Sequence, residues 1–472
     1  MYLEIAMGLY ILGSYAYHRW LEDKPAPPKP EDIRLPRTDD GAPLSLIYGR
    51  CRVRSPAMVF AGNYQPPTID LDRYSIDLLF AVGIPFFGGV VSSDALGVAV
   101  YAGDVKMGTI VTPPVGDSQA GTLVASTGAT SGDISVVGEM YFGSSTQNVG
   151  AIGSVTRSVM IDAGIDASLI PGYRSLVCAA FVSFATASRG LSSPVAGIPS
   201  FSFEVKSLST GTAADLGHSL ADDADPAAVI YDLLTSPWGK LALSTSKVDL
   251  PSFQTASATL FAEQHGYSRA IEQPDDASNL IDDVLRQIDG VLYEEPTTGK
   301  LVLKLIRNDY NVNVLDTITP DNARPAEGSW LSVSGWSETL NQVRVVWTNR
   351  GSGYNQGVAI GQNNANVTDQ GKLRTLEVTY VGCNDQDLAH RLASRELAVV
   401  SKPIVKASVV TDRTFYQKRP GDVVKLTWPQ LGISGMVMRI ARVDLGQLHK
   451  GDIHLDLIRD VFDVSLGAFP YA

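Results

Sequence analysis

The chain has 472 residues, 44% apolar and 19% charged, and its 38 basic and 50 acidic side chains leave a formal charge of −12. That length exceeds one hydrophobic core and predicts about two to four domains, while the composition excludes a disordered chain. A net acidic surface repels nucleic acid as a whole, so any contact with DNA has to be local or transient.

The chain opens on MYLEIAMGLYILGSYAYHRWL, which predicts a helix with Ile5, Leu9, Leu12, Ala16 and Trp20 spread over nearly every face. A helix apolar all round is normally buried. Glu4, the tyrosines and the late basic pair His18–Arg19 fit neither a signal peptide nor a membrane span. The proline-rich KPAPPKP (24–30) reads as a stiff linker, so residues 1–30 are expected to form an arm docking on a neighbouring protein rather than in lipid.

Short apolar runs punctuated by Gly and Pro follow, as in PLSLIYG, AMVFAG and YSIDLLFAVGIPFFGGVV, and these predict strands and turns. Directly after the first of them Arg50, Arg52 and Arg54 alternate, and period-two geometry places them on one face of a strand. Contact with an acidic neighbour is the leading reading of that face. A solvated strand face and a nucleic-acid groove are the alternatives. Residues 104–160, rich in Gly, Ser, Thr and Ala, read as an insertion, either flexible or a small additional β-domain. Strands resume with SLVCAAFVSF and PSFSFEVKSL.

The pattern then turns helical. DADPAAVIYDLL (223–234) carries an Asp cap and a first-turn Pro; SFQTASATLFAEQHG (252–266) and ASNLIDDVLRQIDG (277–290) follow it. VLYEEPTTGKLVLKLIR predicts a hairpin. From about Trp330 the reading is β again, with Val343, Val345 and Trp347 on one strand face, apart from a helix over 384–401.

Chemistry-bearing motifs are missing. The six histidines are scattered, and there is no HExxH, GxSxG or Walker loop. Cys51, Cys178 and Cys383 lie far apart and read as buried thiols of a cytosol-made protein. His265 beside a helix-ending glycine suits a charged C-cap, and Asp222, Asp223 and Asp225 suit a solvated helix N-terminus. Asp70, Asp72 and Asp77, or Glu294 and Glu295, make at best a weak glycosidase pair. The expectation is a structural or binding protein without catalytic residue, metal or cofactor.

Several phrases in order resemble the siphophage tail-tip hub proteins, the tip attachment family that includes gene-transfer-agent hubs. They are LPRTDDGAPLSLIYGRCRVRSP (35–56), with Leu35, Pro36, Tyr48, Gly49 and Arg50; IPGYRSLVCAAFVSF (170–184), with Pro171, Tyr173 and Arg174; and IPSFSFEV (198–205), with Phe203, Glu204 and Val205. DPAAVIYDLLTSPWGKLAL, DGVLYEEPTTGKLVLKLIR, LNQVRVVWTNR and LAHRLASRELA continue the likeness to about residue 465, whereas 104–160 matches nothing in it. The resemblance implies a mainly β, multidomain fold with an α+β middle: arm 1–30, a first tail-tube-like β-barrel over 31–212, a helix-bearing domain over 213–328, a second barrel over 329–465, and a tail at 466–472.

The function it implies is a homotrimeric hub at the distal end of a virion's tail, assembled in the host cytoplasm. Such a hub closes the tube, adapts sixfold to threefold symmetry and organises host attachment and DNA ejection. Implied partners are the distal tail protein, the tape-measure C-terminus and a fibre or receptor-binding protein, with DNA only in transit and membrane touched only during infection. A virion-associated cell-wall hydrolase and the hub of a contractile injection system are the alternatives.

Overall fold

The computed structural model describes residues 43–463 except 66–72, 87–98, 113–119, 127–134, 145, 150–153, 188–199, 209–215, 217, 219, 238–240, 329 and 447–450. The arm at 1–30, the phrase start Leu35–Pro36, and Asp70 and Asp72 lie outside the described residues. Two compact units form. One takes Arg54–Gly83 and Ser93–Glu204, and the other takes Ser45–Val53, Ile84–Ser92 and Val205 onward, each in its described residues.

Strand β1 (Leu46–Val53) opens the described chain but belongs to the second unit. The first unit is built on β2 (Ala57–Gln65) and β3 (Arg73–Pro85, its last two residues in the other unit). It continues with β4 (Ala99–Ala102), β5 (Val105–Lys106), β6 (Gly108–Thr112), β7 (Ala120–Ser126) and β8 (Ser135–Phe142). Helix α1 (Val155–Asp162), β9 (Val177–Ala187) and β10 (Phe201–Ser207, its last three residues in the other unit) complete it. The antiparallel order is β2-β3-β9-β8-β7-β6, with β10, β4 and β5 paired beside one another.

Alternation gives this unit its two-sided core. Phe80 meets Phe181 at 5.3 Å between ring centroids, and Phe181 meets Phe201 edge-on at 4.9 Å. The neighbouring residues Leu79, Cys178 and Ala180 face the other way, onto Tyr141 of β8, Val149 and, from α1, Met160. Residues 104–160 are therefore not a separate insertion. Their strands β6–β8 extend the sheet through β9, and Gly138 permits this because a Cβ there would stand 1.9 Å from the Ala180 carbonyl oxygen. Helix α1 was hidden by the same Gly/Ser-rich composition; its signal is the Ser154 cap, whose Oγ accepts from Arg157 N at 3.0 Å.

In the second unit β1 pairs antiparallel with β11 (Arg269–Ile271) and runs parallel to Ile84–Pro85. Helices α2 (Pro226–Thr235), α3 (Leu250–Ala262) and α4 (Ala277–Ile288) stand where the caps and apolar stripes predict them. They pack with the hairpin of β12 (Gly290–Glu295) and β13 (Lys300–Leu305). The core here includes Val229, Leu233, Phe253, Leu260, Tyr267 and Val284, joined by Tyr48 and Phe86. Those last two rings, from segments far back in the chain, meet at 5.2 Å. They are why the domain boundary expected at 212 is not where the chain divides.

Short strands β14 (Thr317–Ile318), β15 (Ala323–Pro325) and β16 (Leu331–Val333) precede a three-stranded sheet. That sheet has β17 (Gln342–Asn349) between β18 (Asn355–Gln362) and β19 (Thr375–Thr379). After the short helix α5 (Asn364–Gln370), helix α6 (Gln386–Val400) covers it, setting Leu388, Ala389, Leu392 and Ala393 against Val343, Val345 and Trp347. With β20 (Val405–Thr411), β21 (Val423–Trp428), β22 (Ile433–Asp444) and β23 (Ile453–Arg459), a sheet of order β14-β21-β22-β23-β20-β15 forms, β16 adding onto β20. The stretch expected as one barrel over 329–465 is thus two sheets. The larger one draws β14 and β15 from before residue 329.

Candidate functional site

The arginine strand leads to a polar cluster inside the second unit. Gly49 has φ of +64°, and a Cβ there would lie 2.0 Å from Ser268 Oγ, so only glycine lets β1 come this close. The next residue uses that approach: Arg50 N donates to Asp222 O at 2.7 Å and to Ser268 Oγ at 3.2 Å. Its guanidinium Nη1 donates to Asp222 Oδ2 at 3.2 Å. Lys206 Nζ stands 3.4 Å from Asp222 Oδ1, and Arg350 reaches Asp222 at 3.8 Å and donates to Asp223. Ser268 Oγ donates to Asp223 Oδ1 at 2.6 Å. Burial alone would raise the Asp222 pKa, but Arg50, Arg350 and Lys206 together hold it below the usual carboxylate value.

The three arginines therefore do not share one exposed face. Arg50 is committed to its own chain, Arg52 is 9% exposed, and Arg54 lies exposed beyond the end of β1. Asp222 and Asp223, read as a solvated helix start, are the acid half of that cluster. Arg50 and the pair Asp222–Asp223 were two of its parts in the sequence.

The remaining signature residues serve the fold. Tyr48, 1% exposed, donates its hydroxyl to Asp232 Oδ2 at 2.9 Å, and burial followed by that carboxylate raises its pKa well above the ordinary phenol value. Pro171 and Arg174 are exposed on a turn in which Tyr173 and Ser175 both have positive φ. Buried Gln147 holds that turn, donating Nε2 to Tyr173 O at 2.5 Å and Leu176 O at 2.6 Å. Phe203 and Val205 are fully buried, and Glu204 accepts from Tyr101 Oη at 3.0 Å.

A Ser–His–Asp grouping forms at α2 and α3, but in the wrong order for acyl transfer. Ser257, fully buried, donates its hydroxyl to Asp225, while His218 Nδ1 lies 3.1 Å from the same Oγ. A nucleophile needs its proton taken by the imidazole, with the carboxylate beyond it. Here the serine sits in the middle and its proton goes to the acid. Asp225 also caps α2, accepting from Ala227 N at 2.9 Å, and burial raises its pKa to about 6 against the lowering effect of those hydrogen bonds. Glu295, of the imagined glycosidase pair, is held by Arg419 in two bonds of 2.7 and 2.9 Å, and Asp77 accepts from Asn63 Nδ2 at 2.8 Å. Among the described residues no group of His, Cys, Asp and Glu is placed to hold a metal ion. Cys51, Cys178 and Cys383 are buried thiols.

The second unit also holds a cavity of about 500 Å³, lined by apolar side chains, by acids and histidines, and by five arginines, Arg307, Arg391, Arg395, Arg439 and Arg459. Three of those guanidiniums are occupied by helix ends. Arg391 donates to the carbonyls of Glu263 and Gln264 (2.7 Å for the second) at the end of α3. Arg395 donates to Gln287 O at 2.8 Å and Arg286 O at 3.0 Å, and Arg307 to Ile288 O at 3.1 Å, all at the end of α4. These are orphan carbonyls at the negative pole of each helix, where cations are favoured. His265 is therefore not the charged cap its position suggests. Burial first, then Arg395, Arg307 and Arg391, push its pKa well below the ordinary value, so its ring is neutral.

Residues 276–443 match the family model described as "Putative phage tail protein". Among curated proteins no significant match was found. A chain from the virion of a native gene transfer agent particle superposes with a TM-score of 0.59 at 13% identity, covering 92% of this chain and 89% of that one. The 43 kDa tail protein of prophage MuSo2 from Shewanella oneidensis gives 0.31 at 12% identity over 89% and 96%, respectively. A tail protein from Neisseria meningitidis MC58 gives 0.34 at 12% identity over 77% and 96%. The last two superpose too poorly to define a shared fold. The first does define one: this mainly β chain has the fold of a gene-transfer-agent virion chain, and its segment 276–443 matches a phage-tail family.

Proposed function

We propose that the chain is a structural protein of a phage-type tail and acts there as the hub at the distal end of the tube. Three copies close the tube, adapt its symmetry, and seat the distal tail protein, the tape-measure C-terminus and a fibre or receptor-binding protein. The observation that carries this reading is the fold agreement with a virion chain over 92% of the length. The reversed order of Ser257 between Asp225 and His218 supports a non-catalytic role. The test is light-scattering mass of the purified chain together with electron microscopy of tails carrying a labelled copy. A trimer, with label at the tail end away from the head, is expected. A monomer that cleaves cell-wall glycan, or label along the tube, would overturn the reading.

A further inference from the structure

We propose that the cavity of the second unit binds one amphipathic monoanion, a straight-chain carboxylate whose chain lies among the apolar walls and whose head meets Arg391. Its volume of about 500 Å³ lies inside the range of roughly 300–1,000 Å³ that ligand pockets take. The walls come from α6, the ends of α3 and α4, β12, β22 and β23. Val291, Leu388, Leu392, Val399, Ile440 and Phe462 make them mainly apolar, which favours a hydrocarbon body.

The charged lining decides the sign of the head. Arg307 holds Glu263 at 2.6 Å, Arg439 holds Asp460 at 3.0 Å, and Arg395 holds Glu396, outside the lining, at 2.9 Å. Asp289 lines the cavity as well, and Arg391 and Arg459 add two further guanidiniums. Counting Glu396, five guanidiniums meet four carboxylates, so one positive charge is left over even with every acid ionised. The histidines do not offset it, since a histidine carries no negative charge: His265 is neutral, and His390 is exposed at the rim. Arg391 has room for the head. It reaches only the carbonyls of Glu263 and Gln264 and makes no ion pair among the described residues. A guanidinium carries five N–H donors, so most of its capacity is unspent. The same wall holds an unmet polar demand, for His265 is 7% exposed and its Nε2 is buried without a hydrogen-bond partner. Buried polar atoms are rarely left so, which points to a wall that a ligand completes. An apolar cavity with one uncompensated cation selects an apolar body with one negative end.

The experiment is calorimetric titration of the purified full chain with decanoate, decanol and inorganic phosphate, each below its aggregation limit. Decanoate should bind saturably at one per chain, decanol about ten-fold more weakly or worse, and phosphate not at all. Arg391→Gln keeps an amide donor for the helix carbonyls and removes the charge. It should weaken decanoate by about ten-fold or more and leave decanol unchanged, and Arg391→Lys should restore most of the decanoate affinity. Ala441→Trp, which fills the cavity from an exposed position on its wall, should abolish binding of both. Absence of saturable decanoate binding overturns the proposal, as does decanol binding as tightly as decanoate, or decanoate binding that neither Arg391→Gln nor Ala441→Trp changes. Co-sedimentation with phosphatidylglycerol vesicles without uptake of free decanoate would assign the positive wall to a lipid headgroup and overturn the free-carboxylate assignment.

Discussion

Residue by residue, the arginines of β1 separate fold from surface. Arg50 shares Asp222 with Lys206 and Arg350, half-buried, so Arg50→Ala is expected to cost the isolated subunit about 1–2 kcal/mol, while Arg54→Ala costs under about 0.5. Urea midpoints of the two purified variants check this. Equal midpoints would return Arg50 to a role outside its own chain. Asp225 gives a pH signature instead. Its folded pKa of about 6 exceeds the unfolded carboxylate value, so the folded state binds more protons between the two. Its contribution is therefore full below about pH 4 and is lost as pH rises through about 6, a change of about 2–3 kcal/mol. Asp225→Asn cannot titrate. The stability of wild type minus that of the variant should fall by that amount from pH 4 to pH 7, measured by denaturant unfolding, and a flat difference would contradict the assignment.

At the scale of elements, most strands and helices were legible because their periods are clean. The Asp225 cap with Pro226, the stripe of α4 and the alternation of Val343, Val345 and Trp347 each name one face, and each face is buried as its period requires. The stretch 104–160 was not legible, since Gly, Ser and Thr carry neither a strand nor a helix signal strongly. What joins β8 to β9 is the Gly138 approach to Ala180, a contact between distant residues. The helix clamps were also invisible: nothing local tells that Arg395, on the helix over 384–401, ends α4 over a hundred residues earlier. Arg395→Ala strips Arg286 and Gln287 of their carbonyl donor and leaves Glu396 and the Tyr380 hydroxyl without it. A loss of about 2–4 kcal/mol is expected, concentrated at α4. Amide exchange should quicken over residues 286–289 before it changes in α2. Uniform quickening across the unit would mean the arginine acts through general packing and not as a clamp.

For the whole molecule, sequence reading placed the boundaries where the pattern changes, while the chain groups residues by shared core. Tyr48 and Phe86 leave the strand-rich beginning to complete the apolar core of α2–α4, so a boundary at residue 212 cuts through one folded unit. The same reasoning frames the role of the opening arm. We propose that the apolar helical pattern of residues 1–21, on its stiff tether, has its use outside the subunit's own cores. Removing residues 1–30 should leave the melting temperature within about 2 °C of the full chain, the shift of under 1 kcal/mol that loss of a non-core segment brings. Incorporation into tails, scored by complementing particles that lack the protein, should fall at least ten-fold. A melting temperature lowered by more than about 5 °C would show instead that the arm completes a core of its own subunit. Normal incorporation with loss only of membrane flotation would move its docking surface from protein to lipid.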